Sequence, residues 1–208
     1  LKPKIGNLPS YETPATPAIC RKMPKSLLIA SLIGPRIRIL RDQKTTWMTL
    51  YPIETGNFKL DGGAMFGVVP KSLWSRTNPA DANNMIEMAA RSLLIEDGDR
   101  LILIDTGMGD KQSEKFFGYY YLWGDHSLDA SLAAAGFHRD DITDVFLTHL
   151  HFDHCGGSIR WNRDRTGYEP AFKNATFWTN EDHWKWATEP NAREKASFLS
   201  ENIMPMQE

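Results

Sequence analysis

His149-Leu150-His151-Phe152-Asp153-His154, followed by Gly156 and Gly157, contains three of the six histidines of the chain within six residues. It comes directly after the apolar run Asp144–Thr148 (DVFLT), which predicts a buried strand. Histidines two residues apart beyond a strand end can turn both imidazoles toward one point, and the Asp-His pair can serve a second point nearby. The glycine pair can let the backbone pass close to the ions and begin a helix. The pattern therefore predicts one or two metal ions at this loop.

These residue types do not by themselves fix the metal. Imidazole nitrogen and carboxylate oxygen suit Zn²⁺, and they also bind Mn²⁺ or Fe²⁺. We expect zinc as the default. Cys155 lies beside the last ligand candidate, but a small residue fills such a place readily, so we interpret it as a packing residue. His126 and His138 are predicted to be solvent-facing loop residues.

Two stretches before the histidine motif (His149–His154) have the pattern strand, turn, strand. The first joins Thr49–Ile53 to Asn57–Leu60 across Glu-Thr-Gly, and the second joins Arg91–Glu96 to Arg100–Ile104 across Asp-Gly-Asp. An Asp-Gly pair between apolar runs is a strong local signal for a hairpin. Both stretches are predicted to form antiparallel hairpins of short strands.

Helical patterns follow the strands. Ser127–Ala135 has helical periodicity and is closed by Gly136 as a C-cap. Ala175–Thr179 predicts another strand, and Glu181–Ala187 and Ala192–Glu201 are rich in helix formers. Short strands covered by helices indicate an α+β fold.

The histidine motif with its two glycines resembles the signature of the metallo-β-lactamase superfamily. Leu103–Gly107 (LIDTG), followed by Met108, resembles the strand and turn that this superfamily places beside its metals. Asp61–Ser75 is similar to the opening of the branch that contains quorum-quenching N-acyl-homoserine lactone lactonases. The likeness runs from about Met48 onward. It implies an αββα sandwich, of which this chain holds the N-terminal half to two-thirds.

The resemblance also implies roles for single residues. His149 and His151 would bind one metal ion, and Asp153 and His154 a second, with two zinc ions in a complete site. Asp105 would orient one of the ligands, with a turn or cap role as the alternative.

The family mechanism is hydrolysis by a metal-bridging hydroxide while one cation polarises the carbonyl. Asp153 would pass a proton to the leaving alkoxide, so that a cyclic ester opens. Met65 and Phe66 are the candidates for a substrate pocket. The aromatic run at 116–123 could wall an acyl-chain groove, although core packing is the favoured interpretation of it.

One departure from the family pattern is large. The family adds a further His, a bridging Asp and a last His downstream, but the 54 residues after His154 contain one histidine, His183. Its neighbours Trp184, Lys185 and Trp186 favour a surface or packing residue over a ligand. We therefore expect a C-terminally incomplete domain, from a longer protein or as a fragment that holds metal weakly.

The charge of the chain is distributed unevenly. Residues 1–47 carry nine Lys/Arg and two acids, a net charge of +7, and six of the twelve prolines. Residues 48–208 carry 15 Lys/Arg and 24 acids, a net charge of −9. We interpret 1–47 as a disordered appendage and 48–208 as the domain. A targeting segment, a basic arm for nucleic acid, and upstream sequence before a natural start at Met48 are the alternatives for 1–47.

Three classes of function stay open. The first is a metal-dependent hydrolase of lactones such as N-acyl-homoserine lactones, or of related esters. Thioester, β-lactam or organophosphate hydrolysis uses the same metal motif and stays open within this class. The second class is a nuclease of the same superfamily, which the net charge of −9 in residues 48–208 disfavours. The third class is an inactive fragment.

Length and composition set the remaining expectations. With 208 residues, 41% of them hydrophobic, the chain can bury a core. The longest apolar run, Leu27–Ile33, is too short for a membrane span. Two cysteines far apart in the sequence favour a reducing, cytoplasmic setting. A small-molecule substrate is the expected partner, and the oligomeric state is open.

Overall fold

A computed structural model of the chain describes residues 37–40 and 47–207. Most of the predicted appendage lies outside the described residues. Ile37–Leu40, however, pair antiparallel with the strand that begins at Trp47. The sheet thus begins eleven residues before Met48, the predicted start of the domain, because these four residues pair with β2.

The described residues form eight strands, which belong to two sheets. The strands are β1 (Ile37–Leu40), β2 (Trp47–Asp61), β3 (Met85–Asp97), β4 (Arg100–Ile104), β5 (Asp144–Phe146), β6 (Ile159–Trp161), β7 (Tyr168–Pro170) and β8 (Thr176–Trp178). Six of them form one mixed sheet in the order β1-β2-β3-β4-β5-β8. The first four are antiparallel, whereas β5 is parallel to β4, and β8 is parallel to β5. β6 and β7 make a separate antiparallel pair.

Seven short α-helices connect and cover the strands of the described part. They are α1 (Gly62–Phe66), α2 (Lys71–Trp74), α3 (Glu114–Gly118), α4 (Leu128–Ala135), α5 (Phe152–Cys155), α6 (Glu181–Thr188) and α7 (Ser200–Ile203). Turns of 3-10 helix lie at Arg139–Asp141, Gly156–Ser158 and Met204–Met206. The α+β class predicted from the sequence is confirmed. None of the helices in the described ranges is long and apolar enough to cross a membrane.

The first predicted hairpin is wrong, because its two halves are one long strand. β2 runs through Glu-Thr-Gly and pairs along its whole length with β3. The extra residue, Thr55, is absorbed in a bulge between Glu54 and Gly56, and Gly56 adopts φ 125. A hydrogen bond from the Ser131 hydroxyl to the Glu54 carbonyl (2.6 Å) ties the bulge to α4. A long partner strand thus overrides a local turn signal.

The second hairpin is confirmed. β3 and β4 pair in register from Asp97 and Arg100, and Gly98 in the turn adopts φ 62. β3 starts at Met85, six residues before the predicted bound at Arg91.

Helix predictions succeed where local caps exist. Ser127 caps α4 through the amide of Ala130, and Gly136 ends it with φ 90. α6 matches the predicted segment to within one residue. The predicted helix Ala192–Glu201 is wrong, since this segment is a series of turns that ends in α7. One of its carbonyls, that of Ser197, accepts a tertiary hydrogen bond from Phe152 N (3.0 Å).

The main core lies between the sheet and α4. Ile53, Leu94, Leu103 and Val145, from four different strands, have no exposed surface, and Leu132 of α4 belongs to the same cluster. Full burial of each such side chain contributes roughly 1.5 to 3 kcal/mol. This packing fixes the end of β5, from which the histidine motif begins.

Asp144 joins three strands through its carboxylate. Oδ1 accepts from Arg100 Nη2 (2.7 Å) on β4 and from Trp178 Nε1 (2.8 Å) on β8. Oδ2 accepts from Arg100 Nε (3.1 Å) and the Thr143 hydroxyl (2.7 Å). The hydrogen bonds from Arg100, with those from Thr143 and Trp178, lower the pKa of Asp144 to about 2 against the opposing effect of burial.

We expect Asp144→Asn to lower the free energy of unfolding at neutral pH by about 1 to 2 kcal/mol, a value reduced because Arg100 is half exposed. The folded pKa lies below the unfolded value, so this stabilisation is present above the unfolded pKa and is lost as the pH falls through the folded one. The difference from wild type should therefore shrink between pH 3.8 and about 2. Urea unfolding across this range measures it.

The exposed Asp125 provides the matched control, because Asp125→Asn should change stability little at any pH. An Asp144→Asn deficit that is the same at neutral and acidic pH would show that the charge of Asp144 is not what stabilises the sheet.

Candidate metal centre

The histidine motif is held in place by its apolar members. Leu150 and Cys155 are fully buried, and Phe152 is 6% exposed. The three histidines of the motif and Asp153 are half-buried. Phe152 packs in a second cluster with Phe58, Ala90 and Met108. Burial of alternate residues therefore turns the polar side chains of the motif together toward the surface.

The structure brings the four predicted ligands together. The His149 ring centroid lies 3.9 Å from that of His154 and 4.6 Å from that of His151. Asp153 Oδ2 lies 3.5 Å from His154 Nε2. Three imidazoles and one carboxylate are donors that suit zinc. Within the described residues, no group of three or more His, Cys, Asp or Glu side chains is already arranged around a point that could hold an ion, so the ligand assignment stays a prediction.

The rings differ in their affinity for protons. Burial, with the neighbouring rings of His154 and His151, lowers the pKa of His149 to about 4. Burial also lowers the pKa of His151. For His154 burial acts in the same direction, but the hydrogen bond to Asp105 and the charge of Asp153 outweigh it, so its pKa is raised. At neutral pH His149 is therefore an uncharged imidazole, the form that binds metal.

Asp105 connects the sheet to this cluster. Its Oδ2 accepts from His154 Nδ1 (2.8 Å), and its Oδ1 accepts from Thr148 N (2.9 Å). Burial would raise the pKa of Asp105, but these hydrogen bonds lower it overall. Asp105 follows β4 in a left-handed conformation (φ 58), which aspartate tolerates better than most residues. These contacts are those required of a residue that orients a ligand.

The two glycines after the motif serve backbone packing. A Cβ on Gly156 would lie 2.0 Å from the Met108 carbonyl oxygen, and one on Gly157 2.2 Å from that of Thr106. The atoms that the two glycines accommodate belong to the backbone segment after β4. Their predicted role beside the ions stays a prediction.

His183 reaches the motif through space. Its Nε2 accepts a hydrogen bond from Leu150 N (2.8 Å), and its ring centroid lies 6.3 Å from that of His149. It is thus the packing residue that the sequence predicted, but it packs on the loop of the candidate site. The spacing of 33 residues carried no signal for this contact.

The aromatic run covers one side of the motif. The rings of Phe116 and Tyr120 lie 5.3 Å and 4.7 Å from that of Phe152. Burial raises the pKa of Tyr120, and the negative charge of Asp153 raises it further. Tyr120 therefore lies close enough to Asp153, a predicted ligand, for the carboxylate charge to act on its hydroxyl. The sequence pattern did not single out Tyr120 within the aromatic run.

Met65 and Phe66 lie in α1, outside these contacts. Met65 is 45% exposed, and Phe66 stacks on Trp74 with ring centroids 5.1 Å apart. Their role in a substrate pocket stays a prediction. Cys155 is fully buried, and its thiol donates to the Leu150 carbonyl (3.3 Å), which agrees with a packing residue.

Comparison with known proteins agrees with this geometry. Residues 87–168 match the family model of the metallo-β-lactamase superfamily. No curated protein matches the chain. A solved structure of a probable metal-dependent hydrolase from Staphylococcus aureus is 35% identical, with a TM-score of 0.68, and the alignment covers 74% of this chain and 55% of that chain.

Two further solved structures share the fold at lower identity. One is AidC, a dizinc quorum-quenching lactonase in complex with a product, with 21% identity, a TM-score of 0.52, and coverage of 84% of this chain and 60% of that chain. The other is the hydrolase AbOPH of the β-lactamase superfamily, with 21% identity, a TM-score of 0.56, and coverage of 85% and 59%. The chain spans 55% to 60% of the length of these three structures. Residues 87–168, which contain the histidine motif, are thus identified by the family model as metallo-β-lactamase superfamily sequence, and the mixed sheet agrees with that fold.

Proposed function

We propose that this domain belongs to a metal-dependent hydrolase that opens a lactone or a related ester. The observation that carries the proposal is the proximity of three imidazoles and a carboxylate beyond β5, with Asp105 hydrogen-bonded to His154. The match to a superfamily that includes metal-dependent hydrolases supports it.

In this proposal His149 and His151 hold one ion, and Asp153 and His154 hold a second. Zinc is the proposed metal, because three imidazoles and a carboxylate are donors typical of zinc sites. Manganese and iron are the alternatives, because the same donors bind them as well. When bound, the ions supply Lewis acidity, which lowers the pKa of water and polarises a carbonyl.

The chain's own residues supply orientation and proton transfer. Asp105 holds the His154 ring through Nδ1, so that Nε2 faces Asp153. Asp153 is proposed to take up the proton that the attacking water releases and to pass it to the leaving oxygen when the ester bond breaks. Phe116 and Tyr120 exclude water on the side of Phe152 and offer apolar surface to an acyl chain.

The substrate class rests on weaker support than the metal chemistry. The lactonase among the structural neighbours is only 21% identical, so it supports the fold alone. The stretch Asp61–Ser75 favours the lactonase branch, and N-acyl-homoserine lactones are the proposed substrates. The net charge of −9 in residues 48–208 disfavours phosphodiesters of nucleic acids, whose binding depends on cationic residues.

We expect the 208-residue chain to bind fewer than two zinc ions. Four side chains divided between two sites leave each ion at least one protein ligand short of the usual number. Metal analysis after gel filtration measures the stoichiometry. Two tightly held ions per chain would mean that other residues complete the sites, and Asp182 and His183 would be examined first.

We expect Asp105→Asn to lower the pKa of His154 in the metal-free chain, because the variant removes the negative charge and the carboxylate acceptor that raise this pKa. Zinc affinity should fall by about 10 to 100-fold. NMR titration of the ring signals and calorimetry measure the two effects. Asp110→Asn, an exposed aspartate nearby, is the control. An unchanged His154 pKa would contradict the orienting role of Asp105.

We expect Asp153→Asn to reduce lactone opening by at least about 100-fold, because both metal binding and proton donation depend on the carboxylate. The assay follows proton release from N-hexanoyl-homoserine lactone by the zinc-loaded protein, with a thioester and a phosphodiester in parallel. His138→Ala, at an exposed histidine, is the control. Wild-type turnover by Asp153→Asn with its metal still bound would refute the acid role.

If the wild type does not open the lactone but cleaves the thioester or the phosphodiester, the proposed substrate class is wrong. The class that is cleaved would then replace it. Absence of all three activities despite bound zinc would argue that this chain is not by itself a hydrolase.

A further inference from the structure

Lys111 is a buried cation that the proposed chemistry does not use. It lies seven residues beyond the end of β4 and is only 4% exposed. Its Nζ donates to the Gly156 carbonyl at 2.5 Å. Its own carbonyl accepts from Trp161 Nε1 (3.1 Å), so both ends of the residue are fixed.

The surroundings of Lys111 offer little compensation for its charge. In the described ranges, no carboxylate lies within ion-pair distance of Nζ. Burial lowers the pKa of Lys111 to about 8, while Cys155, Glu201 and Asp110 act in the opposite direction. The ammonium form therefore still prevails at neutral pH. Its direct partner is a backbone carbonyl, and a short hydrogen bond from a charged donor is stronger than one between neutral groups.

The bonded carbonyl belongs to the backbone that presents the ligands. Gly156 directly follows α5, which carries Asp153 and His154. The amide and the hydroxyl of Thr106 both donate to the His154 carbonyl, at 2.7 Å and 3.0 Å. Gly157 N donates to the Gly107 carbonyl (3.1 Å). The segment after β4 thus holds the end of α5 at consecutive points, of which Lys111 is the one charged contact.

A second cation holds the next carbonyl. Arg139 Nη1 donates to the Gly157 carbonyl (3.1 Å), but Arg139 is also paired with Asp129. The charge of Arg139 is therefore compensated by a carboxylate, whereas that of Lys111 is directed at the loop of the candidate site.

We propose that Lys111 is a positioning residue for the histidine motif: its buried ammonium fixes the Gly156 carbonyl and thereby the orientation of Asp153 and His154. This inference rests on the proposed function, since the orientation matters chemically only if the motif holds metal. Lys111 acts through the backbone and touches neither the ligands nor the substrate.

The test compares Lys111→Met, which removes the donor, with Lys111→Arg, which keeps a cationic N–H donor. Lys115→Met, an exposed lysine four residues away, is the matched control. Three measurements are made on the 208-residue chain: circular dichroism with thermal unfolding, NMR of the histidine ring signals without metal, and titration with Co²⁺ followed by its absorption spectrum.

In Lys111→Met we expect the ring signals of the motif histidines to move, while those of the exposed His126 and His138 stay in place. Co²⁺ affinity should fall by about 10 to 100-fold with a changed absorption spectrum, as is typical when support of a ligand is lost. Lys111→Arg should restore the spectrum in whole or in part, and Lys115→Met should match wild type.

The inference is wrong if folded Lys111→Met gives the same histidine ring signals and the same Co²⁺ spectrum as the wild type. If Lys111→Met does not fold, Lys111→Ala, which also removes the donor, is measured in its place. Failure of both to fold would also overturn it, because Lys111 would then serve the stability of the whole domain. If the wild type binds no Co²⁺, the proposed function fails, and the metal-free ring signals still decide the role of Lys111.

Discussion

The close contact between two backbone segments, the one after β4 and the one after α5, is the constraint on which the rest of the candidate site depends. A Cβ on Gly109 would lie 2.6 Å from the Gly156 carbonyl oxygen, and Gly107 and Cys155 form a parallel bridge. Backbones can approach this closely only where side chains are absent. The contact sets the distance from the end of β4 to α5, and it therefore determines whether Asp105 can reach His154.

The parallel part of the sheet explains why the polar residues meet at one edge. β4, β5 and β8 run in the same direction, so their carboxyl ends lie side by side. Asp105 follows the first of them, the histidine motif follows the second, and His183 follows the third. In open sheets with parallel strands, ligands bind beyond the carboxyl ends of the strands, because loops from several strands converge there. Among the described residues, Asp105, the histidine motif and His183 all follow strands of the parallel part, while β2 and β3 contribute Ile53 and Leu94 to the core.

The sequence predicted those features that local chemistry determines. The β3–β4 hairpin has its Asp-Gly turn, α4 has Ser127 and Gly136 as caps, and the histidine motif has a spacing that needs no tertiary information. Prediction from the sequence failed where a distant segment overrides the local signal. One case is β2, whose bulge depends on pairing with β3. The other is the series of turns at 192–197, where the Ser197 carbonyl accepts a hydrogen bond from Phe152 N of the motif. Lys111 gave no signal, because nothing in its neighbourhood in the sequence distinguishes a buried lysine from an exposed one.

The opposed proton affinities of the histidines follow from where each ring nitrogen points. His149 faces other imidazoles, so burial and their charge keep it neutral. His154 directs Nδ1 to Asp105, which raises its pKa, and Nε2 to Asp153. The two nitrogens lie on different sides of the ring, so the Nδ1 hydrogen bond to Asp105 could persist if Nε2 were to bind a cation, as the proposed function requires. The hydrogen bond that raises the pKa of His154 therefore also fixes the nitrogen through which this ring would bind metal.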